Sequence, residues 1–303
     1  MSAASHTEPP RDAVADAVRR ALVEDLTPLG DLTSMLLPPV AAEALFVPRQ
    51  DGVLAGTACA TETFRQVDPD VDLTWSVVEG DVVPAGTPVA VARGELASIL
   101  TAERTALNFL SHLSGIATET RRFVDAVAGT GTRIWDTRKT TPGLRSLQKA
   151  AVRAGGGANH RGNLSDWILL KDNHLSVLGI DEAVRLARER WPARTVHVEC
   201  DTLEQAAQAL EAGADALLLD NMSPELVSAC VDLAFDHSPD GERRALLEVS
   251  GGITIETVAS YGRLGVDCIS VGGLTNSAPV LDIGLDIEPR GIHTPPAVAG
   301  EGS

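Results

Sequence analysis

Six short apolar runs in the second half of the chain constrain its fold most tightly. They read RIWD (133–136), WILLK (167–171), VHVEC (196–200), ALLLD (216–220), LLEVS (246–250) and CISVGG (268–273). They recur roughly every 20 to 35 residues, too far apart for hairpins and far enough for a crossover helix between neighbours. Helical patterns fill the gaps, among them DEAVRLARERW (181–191) and TLEQAAQALEAGA (202–214). The alternation predicts a parallel βα barrel or a doubly wound sheet, and six units are two short of an eightfold barrel.

The first half has another rhythm. Residues 1–10 read as a loose tail. A helix is predicted over about Arg11–Glu24, with Val14, Ala17, Val18, Ala21 and Leu22 on one face. GDLTS (30–34) and LPP (37–39) are turn chemistry. EALFVPR, GVLAG, DLTWSVV and a hairpin-like EGDVVPAGTPVAVARG then predict a small β-rich unit over residues 42–94. That last segment is similar to lipoyl and biotinyl carrier hairpins, but no lysine lies near it to carry such a group. The stretch from Leu96 to Gly129 is helical in pattern, with Leu100, Leu107, Leu110 and Leu113 as its apolar face. Glu103 and Arg104 sit there together, where the chain's character changes. Past Pro279, VLDIGLDI predicts a last strand, followed by a Pro/Gly-rich end expected to be disordered.

No run of 18 apolar residues is present, so no transmembrane helix is expected. The opening residues lack the apolar core of a signal peptide, and the chain reads as cytoplasmic. Cys59, Cys200, Cys230 and Cys268 form no CxxC pair, which predicts buried thiols rather than disulfides or structural zinc. The net charge of −17 argues against nucleic acid as a partner. Residues 136–174 run the other way: seven Lys and Arg side chains stand against three aspartates, and all three lysines of the chain (Lys139, Lys149 and Lys171) are there. Where arginine is otherwise the rule, such clustering suggests a need for compact ammonium charges.

In parallel α/β folds ligands bind at the carboxyl ends of the strands. The residues there are Asp136, Arg138 and Lys139; Lys171 and Asp172; Glu199; Asp220 and Asn221; Glu248, Ser250, Gly251 and Gly252; and Gly272 and Gly273. They divide into three sets. Glu199 and Asp220 are hard-oxygen ligands suited to Mg²⁺ held jointly with substrate phosphates. The Ser250-Gly251-Gly252 and Gly272-Gly273 turns, each expected to open into a helix-like segment, suit a phosphate group. The basic window supplies Arg138 and Arg161 for carboxylates and Lys139 and Lys171 for phosphate oxygens. Gly155-Gly156-Gly157 is expected to be a mobile loop delivering Asn159, His160 and Arg161. Together the sets fit transfer of a phosphoribosyl group to an acid. Hydrolysis fits poorly, with no Ser-His-Asp arrangement and no HExxH. A Schiff-base lyase using Lys139 or Lys171 would leave the glycine turns and the carboxylate pair without a role.

ERTALNFLSHLSGIAT (103–118), DTRKTTPGLR (136–145), GGGANHRGNLSDWILLKDNH (155–174), HVECDTLEQA (197–206), LLLDNMSPE (217–225) and EVSGGI (248–253) resemble the quinolinate phosphoribosyltransferases. EDLTPLGDLTS (24–34) and GVLAG (52–56) also fit, so the resemblance spans roughly residues 20–287. It implies an α/β fold: an N-terminal α/β sandwich over 1–112, rejoined by 280–303, and an open, incomplete parallel βα barrel over 113–279. It implies that quinolinate and phosphoribosyl pyrophosphate are converted, with Mg²⁺, to nicotinate mononucleotide, pyrophosphate and CO₂. It implies a homodimer in which Arg104 crosses to the partner's quinolinate. Arg138, His160 and Arg161 would hold the quinolinate carboxylates, and Lys139, Lys171, Glu199 and Asp220 would serve phosphoribosyl pyrophosphate and its metal. Ser250, Gly251, Gly252, Gly272 and Gly273 would hold the 5′-phosphate, with Thr137 and Val271 completing the substrate-binding set.

Overall fold

The computed structural model of the chain describes residues 7–238 and 245–289. The first six residues of the expected loose tail and the Pro/Gly-rich end past Pro289 lie outside the described residues. Two units are present. One comprises residues 10–114 and the chain from Leu281; the other comprises residues 7–9 and 115–280.

The N-terminal unit begins with helix α1 (Arg11–Leu26), which follows Pro10 and buries Val14, Ala17, Val18 and Leu22 at helical spacing. The GDLTS turn is fixed by Asp31, whose carboxylate accepts from the backbone N–H groups of Thr33 and Ser34 and from the hydroxyls of Ser34 and Thr101. Then come β1 (Ala41–Pro48), β2 (Gly52–Val53), α2 (Thr57–Val67), β3 (Asp72–Trp75), β4 (Val82–Val83), β5 (Ala90–Glu95) and the long helix α3 (Leu96–Ala126). The core lies between β1 and β5 on one side and α2 and α3 on the other, with Phe46, Phe64, Ile99 and Leu110 fully buried. Phe46 and Phe64 meet edge to face at 5.9 Å.

One expectation for this unit is corrected, and one helix is added to it. TACATETFRQV, inside the β-rich stretch, is a helix, α2. Its three threonines are weak helix formers, but Cys59, Ala60, Thr63 and Phe64 make a buried stripe and Thr63 bonds back to the Cys59 carbonyl at 2.8 Å. The hairpin-like segment is not a hairpin: β4 pairs with β2, whereas β5 lies between β1 and β3 in a separate antiparallel sheet. Val83 and Val89, both buried, serve different sheets on either side of the PAGTP turn.

The C-terminal unit continues with β6 (Arg133–Trp135), α4 (Arg145–Ala154), β7 (Ile168–Leu170), α5 (Asp172–Leu178), α6 (Ile180–Arg190), β8 (Val196–Cys200), α7 (Leu203–Glu211), β9 (Ala216–Asp220), α8 (Pro224–Asp236), β10 (Leu246–Ser250), α9 (Val258–Gly262), β11 (Cys268–Ser270) and α10 (Gly273–Asn276). All six apolar runs are strands of one parallel sheet, ordered β6-β11-β10-β9-β8-β7. The successive strands β6 and β7 thus occupy opposite edges, and the barrel is open. The chain then returns as β12 (Ile283–Pro289), antiparallel to β1 in the N-terminal sheet. Among the described residues no helix is long and apolar enough to cross a membrane. The four cysteines are buried and free of disulfides.

The triple glycine is not a mobile loop. Gly155 is buried, and its carbonyl accepts from Arg121 Nε at 3.0 Å. A Cβ on Gly155 would meet Thr120 Cβ at 2.6 Å, and one on Gly157 would meet Thr120 Cγ2 at 2.7 Å. Gly156 has φ +90°, the left-handed region. Glycine here allows the chain to press against the second half of α3. Gly155→Ala is therefore expected to destabilise the C-terminal unit by about 1–3 kcal/mol, the usual cost of overpacking. Denaturant unfolding checks this; an unchanged midpoint would restore the mobile-loop reading.

Candidate active site

Side chains alternate across a strand, so residues two apart share a face. On the inner face of the open barrel this rule builds a cavity of about 390 Å³. Lys171 stands two residues past Leu169, Asp220 past Leu218 and Ser250 past Glu248, and all six line it. Register places Glu199 opposite Leu218, Leu218 opposite Glu248, and Asp220 opposite Ser250. Thr137, Arg138, Lys139, His160 and Arg161 close the side next to β6, with Ser270.

Nine residues expected at a site are therefore brought together: Thr137, Arg138, Lys139, His160, Arg161, Lys171, Glu199, Asp220 and Ser250. The others stand differently. Arg104 is on α3 in the N-terminal unit, 68% exposed and 4.0 Å from Glu103. Val271 is buried, and its N–H donates to the Trp135 carbonyl at 2.9 Å. Gly272 has no Cβ to obstruct Lys139, whose Cδ would lie 3.0 Å from one. Gly251, at φ +93°, packs where a Cβ would meet the Asn221 amide group; Gly252 and Gly273 face open space. The expected helices after these turns are short or late. α9 starts only at Val258, and α10 spans four residues. Any phosphate there would meet loop backbone at 250–252 rather than a helix end.

A buried bracket holds the basic loops in place. Asp136, fully buried at the end of β6, pairs with Lys149 of α4. The same carboxylate accepts the His160 N–H at 2.8 Å and the Asn159 side-chain amide at 2.7 Å. Lys149 Nζ also donates to the His160 carbonyl at 2.9 Å, and Arg153 donates to Asn159 Oδ1 at 2.5 Å. Lys149 and Asn159 are thus structural, and the lysine cluster divides into one bracket and two cavity ammoniums. Burial pushes the Asp136 carboxyl up and the Lys149 ammonium down, while the charge of each opposes the other's shift. Arg145 adds a second tie, donating to Thr140 Oγ1 at 3.0 Å and to the Gly162 carbonyl at 3.1 Å.

The charges inside the cavity are unevenly satisfied. Lys171 pairs with Glu199, so this carboxylate already has a cation at the rim. Burial and the neighbouring Arg138 charge both draw Arg161 below the usual guanidinium range. The Nε atoms of Arg138 and Arg161 are buried without a hydrogen-bond partner among the described residues. Two neighbouring guanidiniums, each with an idle donor, have the chemistry that suits an anion with more than one carboxylate or phosphate.

Below them lies a layer that strand-end reading passed over. Glu248 was noted as a strand-end residue but given no role. It is fully buried, and its Oε2 lies 3.3 Å from His160 Nε2. Trp167 packs against His160 with ring centroids 5.0 Å apart and stacks on His197 at 5.2 Å. Burial lowers His197 to about 4, with His160 and Arg161 adding to the fall and Glu248 opposing it. His197, Leu218, Glu248 and Ser270 each lie two residues before a strand-end position already read, so the period of two was the signal.

Among the described residues no three His, Cys, Asp or Glu side chains converge to cage a metal ion. Glu199 and Asp220, facing one cavity, fit the looser mode in which one or two carboxylates share Mg²⁺ with substrate phosphates.

Comparison with known proteins converges on one family. The N-terminal domain of quinolinate phosphoribosyl transferase matches residues 31–114 and its C-terminal domain residues 116–286. The carboxylating nicotinate-nucleotide pyrophosphorylase of Mycobacterium leprae is 42% identical over 282 residues, covering 91% of this chain and 98% of that protein. A probable counterpart from Bacillus subtilis is 41% identical, covering 85% of this chain and 88% of its own. The solved nicotinate-nucleotide pyrophosphorylase of Francisella tularensis superposes with a TM-score of 0.89 at 38% identity, covering 93% of this chain and 98% of that one.

The bracket generates a stability prediction. Lys149→Met strands the buried Asp136 charge and is expected to cost about 3–5 kcal/mol. Adding Asp136→Asn removes the stranded charge and should recover part of that loss. Urea unfolding followed by tryptophan fluorescence reads the effect, since Trp135, Trp167 and Trp191 lie in this unit. A single variant as stable as the parent would refute the bracket.

Proposed function

Because the chain belongs to the quinolinate phosphoribosyl transferase family, it converts quinolinate and phosphoribosyl pyrophosphate to nicotinate mononucleotide with loss of CO₂ in NAD biosynthesis, and we propose how its residues divide that work. The observation that carries the division is the Arg138–Arg161 pair beside His160: like charges with idle donors lining the same cavity as the carboxylates Glu199 and Asp220.

Quinolinate carries two adjacent carboxylates, and Arg138, His160 and Arg161 receive them. Lys139 and Lys171 receive the pyrophosphate oxygens as point charges. Ser250, Gly251 and Gly252, with Gly272 and Gly273, receive the 5′-phosphate through loop backbone and the Ser250 hydroxyl. Glu199 and Asp220 face the ribose and would hold Mg²⁺ together with substrate phosphates. Bound there, the ion would neutralise charge on the departing pyrophosphate.

The bond between the anomeric carbon and pyrophosphate breaks, and its electron pair leaves with pyrophosphate. Lys139 and Lys171 stabilise that charge, and the carboxylates of Glu199 and Asp220 stabilise positive charge growing on the sugar. The pyridine nitrogen supplies the new bond and the ring becomes cationic. The ring–carboxylate bond at C2 then breaks; CO₂ departs, and the electron pair left on C2 takes up a proton. No strong general base is needed, because the nucleophile is a neutral ring nitrogen. Positioning and charge do most of the catalysis.

A homodimer is part of the proposal, with Arg104 reaching the partner's quinolinate. Its support is the exposure of Arg104 and the 4.0 Å length of its one ion-pair contact among the described residues. A cytoplasmic setting is supported by four thiols without disulfides.

Turnover is tested by CO₂ and nicotinate mononucleotide release from quinolinate, phosphoribosyl pyrophosphate and Mg²⁺, with nicotinic acid as a parallel substrate. Quinolinate should turn over and nicotinic acid should not. Arg138→Ala should lower kcat/KM for quinolinate about 10- to 100-fold, the worth of one charge-assisted hydrogen bond. The KM for phosphoribosyl pyrophosphate should hardly move; equal loss for both substrates would sink the division.

A further inference from the structure

We infer that Glu248 is a positioning residue for quinolinate that acts through His160. The inference rests on the division of labour proposed above. Glu248 sits on β10 at an inward position of the open barrel, where packing alone would favour an aliphatic side chain like its register neighbour Leu218. It is fully buried, yet neither carboxylate oxygen makes a hydrogen bond among the described residues. A buried carboxylate so poorly satisfied is costly to keep for packing alone. Its close contact is His160 Nε2, at 3.3 Å from Oε2. His160 is buried too, wedged against Trp167 and Trp135 at centroid distances of 5.0 and 5.8 Å, and its backbone is bound by the Asp136–Lys149 bracket.

This geometry sets which ring nitrogen does what. A carboxylate only accepts, so the nitrogen facing Glu248 must carry a proton. Nδ1 is left as the nitrogen able to meet a ligand. A substrate carboxylate also only accepts, so the ring must donate from Nδ1 as well. An imidazole between two carboxylates would donate to both. Glu248 supplies the second carboxylate from inside the fold, as second-rank acceptors do for ligating histidines elsewhere. Arg161 and His197 also face this group, and the Glu248 charge opposes the lowering of both. Phosphoribosyl pyrophosphate, held by Lys139, Lys171 and the glycine turns, lies outside this contact.

The test is a double-mutant cycle with Glu248→Gln, His160→Asn and the combined variant, assayed beside the wild type. Glutamine keeps the shape and removes the charge, so the fold should be retained. Glu248→Asp, which keeps the charge but draws it back by one methylene, serves in its place if unfolding shows otherwise. Glu248→Gln should raise the KM for quinolinate about tenfold, the usual effect of losing one hydrogen bond to a charged group. The KM for phosphoribosyl pyrophosphate should stay within about twofold. In the His160→Asn background Glu248→Gln should have no further effect, because coupled residues are non-additive. Equal rises for both substrates, or additive effects, would overturn the inference. Absence of quinolinate turnover by the wild type would overturn the family reaction itself, and this inference with it; wild-type turnover without a KM split would overturn the role of Glu248 alone.

Discussion

The site depends first on a buried charge pair. Asp136 and Lys149 are not among the residues lining the cavity, yet they decide where the lining residues stand. Asp136 ends β6, Lys149 belongs to α4, and both grip the backbone or side chains of residues 159–160. Three segments distant in sequence therefore meet around one carboxylate. Arg138 and Lys139 follow it on one side, and His160 and Arg161 follow on the other. An apolar replacement of the pair could match its stability, as is often found for buried ion pairs. It could not reproduce a carboxylate that accepts from three directed donors at once. Here the charge fixes geometry more than it adds stability, which is why its disruption should be felt in the loops that carry the arginines.

The same economy of position explains the glycines. Gly155 and Gly157 bring the chain against α3, and Gly272 leaves Lys139 room to cross. In each case the missing side chain permits a close approach that places a cationic neighbour. Mobility is not what these glycines supply. The loop is held by the Arg121 contact before it and by the Asp136 bracket after it.

Much of this was legible in the sequence, and the failures have physical causes. The parallel strands were readable as short, mainly apolar runs, most plainly the four inner ones, β8 to β11, which are buried on both faces. The strand-end residues were readable because they are charged where apolar residues stop. Helix α2 was not, since its threonines argue locally for strand and only packing against the N-terminal core decides otherwise. The pairing of β4 was not, because which sheet a short strand joins depends on contacts remote in sequence. His197 was hidden inside an apolar run, and Glu248 stood among the strand-end residues with nothing to mark its role. Stepping back two residues from Ser250 and Glu199 reaches them, but the sequence cannot say that their neighbours leave them unsatisfied.

Charge balance gives the cavity a direction. The protein is acidic overall, with a net charge of −17, yet this cavity gathers two arginines, two lysines and a histidine against Glu199, Asp220 and Glu248. Lys171 is already engaged by Glu199, which leaves Arg138 and Arg161 repelling each other until an anion arrives. A dianion relieves that repulsion best, and a monoanion less well. In the reaction of this family one of the two quinolinate carboxylates leaves as CO₂. On the proposed division, the nucleotide produced thus satisfies the arginine pair less fully than the substrate did. Its 5′-phosphate is retained, but its hold at the arginines weakens in the step that completes the chemistry. The repulsion that draws quinolinate in is restored as the product forms, so the same two side chains favour both entry of the acid and departure of the nucleotide.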